Sequence, residues 1–217
     1  DLVRSRGLGD VYKRQIDSHS AVDMVNNLSE LFYDLVIHPG IGLNRAKERK
    51  PWIFLVAVVI LSEISIATGA TLFVSSFTGV GKIAFFSNLL LVIVLLAFLW
   101  VINVGILHFF AEVWGKRGRA IDLFITLGLA MLPFVFFSPL SLIVEGLSRG
   151  RIFFQSIFMI ALVVWSFFLA LAAVREVYSS STFEAVLLLL TPILLFIGVS
   201  ILLPLGLVLL TVFSLSL

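Results

Sequence analysis

The sequence comprises 217 residues, of which 60% are hydrophobic and 13% are charged, with a formal net charge of +2. Soluble proteins carry about 25% charged residues, so this composition excludes an ordinary soluble domain and favours a chain embedded in lipid. The small net charge gives no indication of a nucleic-acid partner, and the absence of cysteine excludes disulfides, thiolate metal sites and cysteine nucleophiles.

The first 15 residues resemble a translated sequencing-adaptor leader rather than part of a fold. The first methionine of the chain is Met24, and residues 1–15 contain no apolar periodicity. We therefore expect residues 1–15 to be disordered and to contribute nothing to the fold. The alternative is a genuine disordered basic tail.

A short amphipathic helix is predicted over residues 21–37, because apolar residues recur there at spacings of three and four. Pro39 and Gly40 are expected to end it, and a basic collar then leads to Trp52. We interpret residues 16–51 as a cytoplasmic segment that lies on the ends of the spans, with a membrane-surface or partner-docking helix as the alternative. The apolar positions are Val22, Val25, Leu28, Phe32 and Leu35.

Five apolar segments follow, each long enough to cross a ~30 Å hydrocarbon core at 1.5 Å per residue. The predicted fold class is therefore all-α, a polytopic membrane helix bundle with five transmembrane helices and the short N-terminal amphipathic helix. The last segment contains Pro192 and Pro204 and is interpreted as one kinked or tilted helix. The five-span domain covers residues 52–213, with spans predicted over 52–73, 85–110, 121–144, 152–174 and 185–213.

The basic residues between the spans predict the orientation. With residues 1–15 left out, eight of them lie before span one or in the loops that follow spans two and four, and three lie in the other loops. Basic residues concentrate on the cytoplasmic side, so we expect a cell-membrane protein with its N-terminus in the cytoplasm and its C-terminus outside. The three on the other side are Lys82, Arg149 and Arg151.

Sequence motifs for catalysis are not found. Gly79-Val80-Gly81-Lys82 resembles part of a phosphate loop, but Ile83 stands where a hydroxyl residue would hold magnesium. The three histidines are far apart in sequence, and neither a His-Glu-x-x-His pair nor a Gly-x-Ser-x-Gly turn occurs. The sequence therefore predicts no enzyme, no cofactor and no metal site.

Glu63 is the exception to the apolar pattern, because it falls at the middle of span one. Pro133 lies at a similar depth in span three and would leave the carbonyl of Leu129 without its helical partner. Trp165 and Ser166 lie at that depth in span four. We predict a polar layer in which a neutral Glu63 bonds to Trp165 or to the freed carbonyl, with a proton or cation site as the alternative.

The order of these features resembles the Yip domain family, five-span membrane proteins named for interaction with Ypt/Rab GTPases, and specifically its prokaryotic branch. The resemblance covers roughly residues 30–213. It rests on the placement of glycine, proline, tryptophan and charge: the hinge Trp114-Gly115-Lys116-Arg117-Gly118, Pro133 in the next span, Trp165 to Arg175, and Glu184-Ala185 at the last span.

Two motifs of the eukaryotic members are replaced. Their Asp-Leu-x-Gly-Pro motif has no counterpart, since Asp34-Leu35 is followed by Val36-Ile37-His38-Pro39, and Gly128 is followed by Leu129 rather than tyrosine. Rab binding and membrane trafficking are therefore not expected here. The resemblance implies a non-enzymatic scaffold or adaptor whose partners are the lipid bilayer and other proteins or further copies of the chain. The alternative is a small transporter or channel subunit that uses Glu63.

Overall fold

The computed structural model describes residues 26–78, 89–147 and 150–215. The predicted leader lies outside the described residues, as do the first five residues of the helix predicted over 21–37. Every regular element in the described part of the chain is helical. The chain divides into two compact units, one ending at Arg49 and the other beginning at Lys50, and each is described by itself.

The first unit contains a pair of helices that meet at His38. Helix α1 covers residues 26–37, and helix α2 covers Pro39–Arg49. Residue 37 ends α1, and the residues that follow, interpreted from the sequence as a basic collar, include the second helix. A proline suits the first position of a helix, where its missing N–H is not needed and its φ is already helical. Pro39 therefore begins a new helix.

Polar contacts join the two helices of the first unit. Arg45 pairs with Asp34, and the Nη1 atom of Arg49 donates a hydrogen bond of 2.9 Å to the Oδ1 atom of Asn27. Leu35 is buried, as the predicted apolar face requires, but Phe32 of the same predicted face is 39% exposed. The basic collar thus uses two of its arginines within the first unit.

The second unit contains five helical segments that are long and apolar enough to cross a membrane, which confirms the predicted number of spans. The third segment is interrupted, whereas the other four are continuous helices over the described residues. They are α3 (Trp52–Thr78), α4 (Leu89–Val113), the third span made of α5 (Ala120–Leu129), a 3₁₀ helix (Leu132–Phe136) and α6 (Phe137–Glu145), then α7 (Arg151–Tyr178) and α8 (Thr182–Leu215).

The third span is the central element of this unit. More than half of its apolar stretch is buried, whereas spans two and five are mostly exposed. It contacts spans one, two and four, and its inward residues, which include Leu123, Ile125 and Leu129, are fully buried. The irregular segment of this span packs against spans one and four, and Leu132 and Pro133 within it are buried.

The fifth span is one helix despite two internal prolines, as predicted. Pro192 has no N–H to bond the carbonyl oxygen of Leu188, four residues earlier. The hydroxyl of Thr191 donates a hydrogen bond of 2.6 Å to that same oxygen. A side chain next to the proline thus satisfies the carbonyl that the proline leaves free, and the helix continues in an apolar setting.

Candidate functional site

The third span is interrupted over residues 130–136, called here the break. Helix α5 ends at Leu129, and the N–H of Met131 bonds the carbonyl oxygen of Gly128, three residues earlier, at 3.2 Å. The 3₁₀ helix then follows, with Pro133 in its first turn. The change from bonds four residues apart to bonds three residues apart thus begins at Met131, two residues before the proline. Pro133 itself offers no N–H to the carbonyl of Leu129.

Serine hydroxyls from two neighbouring spans bond the backbone of the break. Ser62 Oγ of span one donates a hydrogen bond of 2.8 Å to the carbonyl oxygen of Met131. Ser166 Oγ of span four donates a bond of the same length to the carbonyl oxygen of Ala130. A carbonyl exposed to hydrocarbon would lack any partner, so these bonds allow irregular backbone at membrane depth.

Ser65, one helical turn after Ser62, bonds the far end of the break. Its hydroxyl donates to the carbonyl oxygen of Val135 at 3.1 Å and accepts from the N–H of Ser138 at 2.7 Å. The buried Gln155 of span four also bonds span one. Its Nε2 atom donates a hydrogen bond of 3.3 Å to the carbonyl oxygen of Gly69. Spans one and four are therefore tied to their neighbours by side chain–backbone bonds.

The residues of the predicted polar layer have different surroundings. Ser166 contacts the break, as described above. Trp165 stacks on Phe136, with ring centroids 6.3 Å apart and an interplanar angle of 11°. Glu63 is buried, with 2% exposure, and its Oε1 atom has no hydrogen-bond partner among the described residues. The structure thus brings Ser166 and Pro133 together at the break but shows no hydrogen bond from Glu63 Oε1 to either Trp165 or the backbone.

Sequence reasoning missed Ser62, Ser65 and Gln155. The two serines stand at i and i+3, which places both on one face of span one, towards span three. That spacing, opposite a span with a central proline, is a signal that could have been used. Gln155 lies near the start of span four, where a polar residue looks interfacial, and its burial depends on how the helix is rotated.

A second cluster of contacts lies at residues 114–119, the segment between spans two and three, which is called here the basic hinge. Helix α4 ends there in a Schellman turn, in which Gly115 has a φ of 72°. The N–H of Gly115 bonds the carbonyl oxygen of Glu112 at 2.8 Å, and the N–H of Lys116 bonds that of Ala111 at 2.9 Å. Positive φ favours glycine, so Gly115 fixes the direction in which the hinge leaves span two.

The basic hinge is held against spans four and five. Gly118 lies on the ring of Tyr178, where an added Cβ atom would come within 2.6 Å. Lys116 Nζ lies 2.7 Å from Glu184 Oε1, and Glu184 Oε2 accepts a bond of 2.9 Å from the N–H of Ser181. The Ser181 hydroxyl accepts in return from the N–H of Glu184 at 3.3 Å, which completes a capping box at the start of span five.

His108 joins span two to the end of span four. Its Nδ1 atom shares a hydrogen bond of 2.7 Å with the hydroxyl of Tyr178, and its Nε2 atom lies 3.3 Å from Glu112 Oε1. His108 thus takes part in a contact between spans two and four. Within the described ranges, no three histidine or acidic side chains come together as a metal site would require.

The comparison with protein families covers most of the chain. A family model described as the Yip1 domain matches residues 33–203, a range that contains α2, the first four spans, most of the fifth, the break and the basic hinge. No curated protein and no solved structure matches the chain. Five apolar helices in the expected order agree with the family match and with the resemblance noted in the sequence. This chain belongs to the Yip1 domain family.

Proposed function

We propose that this integral membrane protein is a non-enzymatic scaffold or adaptor of the cell membrane. The observation that carries the proposal is the use made of the polar side chains inside the bundle. Ser62, Ser65 and Ser166 bond backbone atoms of the third span, and Gln155 bonds the backbone of the first. Groups engaged in holding helices together support a structural role, because they are already paired and do not face a substrate.

Crosslinking in native membranes, followed by purification of the full chain under denaturing conditions, tests the scaffold proposal. A scaffold or adaptor should give one or more defined protein adducts, or a ladder of its own multiples. The matched control is the same treatment after dispersal in detergent, which should remove the adducts. Turnover of a substrate, or ion flux through the purified chain in liposomes, would contradict the proposal.

A second candidate function is a small transporter or channel subunit. The observation that favours it is Glu63, an ionisable residue at membrane depth that is buried and whose Oε1 atom lacks a partner among the described residues. Such residues mark proton or ion paths in many membrane proteins. The test is proton flux in liposomes, where Glu63→Gln should abolish the flux of the wild type without loss of the fold. A wild type without flux would remove this candidate.

The proposed orientation places the N-terminus in the cytoplasm and the C-terminus outside. Its support is the excess of basic residues in the segment before span one and in the basic hinge. An enzyme reporter fused after Leu217 should be active only when it requires export from the cytoplasm. A matched fusion of the same reporter within the loop after span two should show the opposite behaviour. Cytoplasmic activity of the C-terminal fusion would contradict the orientation.

A further inference from the structure

The basic hinge presents two arginines on one side and turns Lys116 and Gly118 inward. Residues 116–119 form neither helix nor strand, Arg119 has an extended backbone, and exposure alternates along the segment, as it does where side chains alternate between two sides of a chain. Lys116 and Gly118 point towards spans five and four, where they contact Glu184 and Tyr178. Arg117 and Arg119 therefore project from the opposite side, and both are exposed, Arg119 with 70% of its side chain accessible.

The outward side of the hinge carries positive charge that the acidic residues in the described part of the chain do not fully neutralise. Lys116 is matched by Glu184, and the Asp122 carboxylate lies 4.0 Å from both Lys50 and Arg119, so one acid serves two bases. Arg117 makes no ion pair among the described residues. The nearby end of span four adds Arg175 and Glu176, whose formal charges cancel, and Glu112 of span two faces His108.

Exposed tryptophans mark the height of the hinge relative to the bilayer. Trp114 is 42% exposed at the end of span two, and Trp52 is 44% exposed at the start of span one. Tryptophan rings concentrate at the level of the lipid headgroups. Since Arg117 follows Trp114 by three residues, its guanidinium and that of Arg119 lie where phosphate groups are found.

We propose that the basic hinge binds the headgroup phosphate of an acidic phospholipid, with Arg117 and Arg119 as the phosphate ligands and Trp114 beside the upper acyl chain. The planar guanidinium forms paired hydrogen bonds to phosphate oxygens. Residues two apart in an extended chain are separated by about 6.5 Å, which lets both side chains approach one phosphate. The proposal goes beyond the scaffold role and does not depend on it.

The hinge is already ordered before a lipid binds. The turn at Gly115, the contact of Gly118 with Tyr178 and the Lys116–Glu184 pair fix its backbone on three sides. Binding therefore immobilises only the two arginine side chains, which lowers the entropic penalty of association. A loose basic loop would attract acidic lipids only through diffuse charge, whereas this hinge holds the backbone that carries both arginines in one conformation.

The test measures the affinity of the purified full chain for fluorescent phosphatidylglycerol in mixed micelles, with fluorescent phosphatidylcholine as the reference lipid. The wild type should prefer phosphatidylglycerol. Arg117→Gln and Arg119→Gln should each weaken that binding about fivefold, the effect of one basic residue near an anionic surface, without changing phosphatidylcholine binding. Unaltered affinity in the double variant would overturn the proposal.

A matched control is Arg151→Gln, which removes a basic residue that flanks a span at the other end of the bundle and lies 4.0 Å from Glu145. It should leave phosphatidylglycerol binding unchanged, and an equal loss would show diffuse charge rather than a site. If a glutamine variant does not fold, Arg117→Lys and Arg119→Lys carry the test. The lysine variants keep the charge but lose the paired bonds to phosphate. They should bind phosphatidylglycerol measurably more weakly than the wild type, and more tightly than a glutamine variant that folds.

Two further arms separate the lipid from other occupants. Inorganic phosphate added at the lipid concentration should not displace the fluorescent lipid, because it gains nothing from Trp114 or the bilayer. Full displacement would identify a soluble-anion site and overturn the lipid proposal. A photoreactive residue at position 117 should label lipid in native membranes, and labelling of a protein in its place would also overturn it.

Discussion

A methyl carbon of Leu55, in span one, occupies the space that a side chain on Gly128, in span three, would need. A Cβ atom at Gly128 would overlap Leu55 Cδ1 and would approach Trp100 Cζ2 of span two to 3.1 Å. Three spans therefore meet at a position where a side chain would fit only if Leu55 shifted. This close approach brings span three against spans one and two, on the N-terminal side of the break.

Gly128→Ala should destabilise the bundle by about 1–3 kcal/mol, because the added methyl group overpacks a contact between buried side chains. The measurement is the free energy of unfolding in mixed detergent with increasing sodium dodecyl sulfate. The matched control is Gly105→Ala in span two, where no heavy atom lies within 4 Å of the added carbon. That variant should be neutral or stabilise by up to about 1 kcal/mol through helix propensity. Equal losses in both variants would contradict the packing argument.

Ser166→Ala should lower stability by about 0.6–1.7 kcal/mol, the range found for side-chain hydrogen bonds between membrane helices. The substitution leaves the carbonyl oxygen of Ala130 without the serine that bonds it at 2.8 Å. Ser156→Ala is the control on the same helix, since Ser156 makes no hydrogen bond among the described residues. If the two variants unfold at the same denaturant concentration, Ser166 does not stabilise the break.

Ser181→Ala should cost about 0.5–2 kcal/mol, the usual loss when a helix N-cap is removed. Its hydroxyl accepts from the N–H of Glu184, and Glu184 in turn bonds the N–H of Ser181. Thr182→Ala removes a neighbouring exposed hydroxyl that caps nothing and should change stability little. Hydrogen exchange of the first turn of span five provides a local readout, and protection there should fall only in the Ser181 variant.

Glu63→Leu should be as stable as the wild type or more stable, because it removes a buried polar group whose Oε1 atom has no partner within the described residues. Glu63→Ala, which opens a cavity at the same site, should be less stable than Glu63→Leu. The measurement is thermal unfolding in detergent of Glu63→Leu, Glu63→Ala and Glu63→Gln beside the wild type. A clear loss in Glu63→Leu together with a silent Glu63→Gln would contradict this expectation and support the polar layer predicted from the sequence.

The number of spans and their helical structure could be predicted because they depend only on the length of apolar runs. The single helix across Pro192 and Pro204 was also predictable, since the apolar run that contains both prolines is not interrupted by a polar loop. Helix α2 was missed because Pro39 stops one helix and starts another, and a local pattern cannot separate these roles. The two roles of Pro39 are distinguished by the contact between Asp34 and Arg45, which is a tertiary contact that a local pattern does not show.

The interior of the site was harder to predict than its depth. Depth follows from counting residues, so Glu63, Ser166 and Pro133 could be assigned to one level of the bilayer. Which of them touch depends on the rotation of each helix about its axis, and that rotation is set by packing at positions such as Gly128. The sequence therefore assigned the central role to Glu63, the most polar residue, and included Ser166, whereas the bonds to the break come from Ser62, Ser65 and Ser166.

The break has a consequence for the order in which the chain enters the membrane. Ser62 belongs to a span synthesised before the break, whereas Ser166 belongs to a span synthesised after it. During insertion, the carbonyl of Ala130 has no side chain to bond it until span four arrives, and bare carbonyls are unfavourable in lipid. Span three is therefore expected to remain within the translocation machinery, or paired with water, until span four follows, so that the two enter the bilayer as one hairpin.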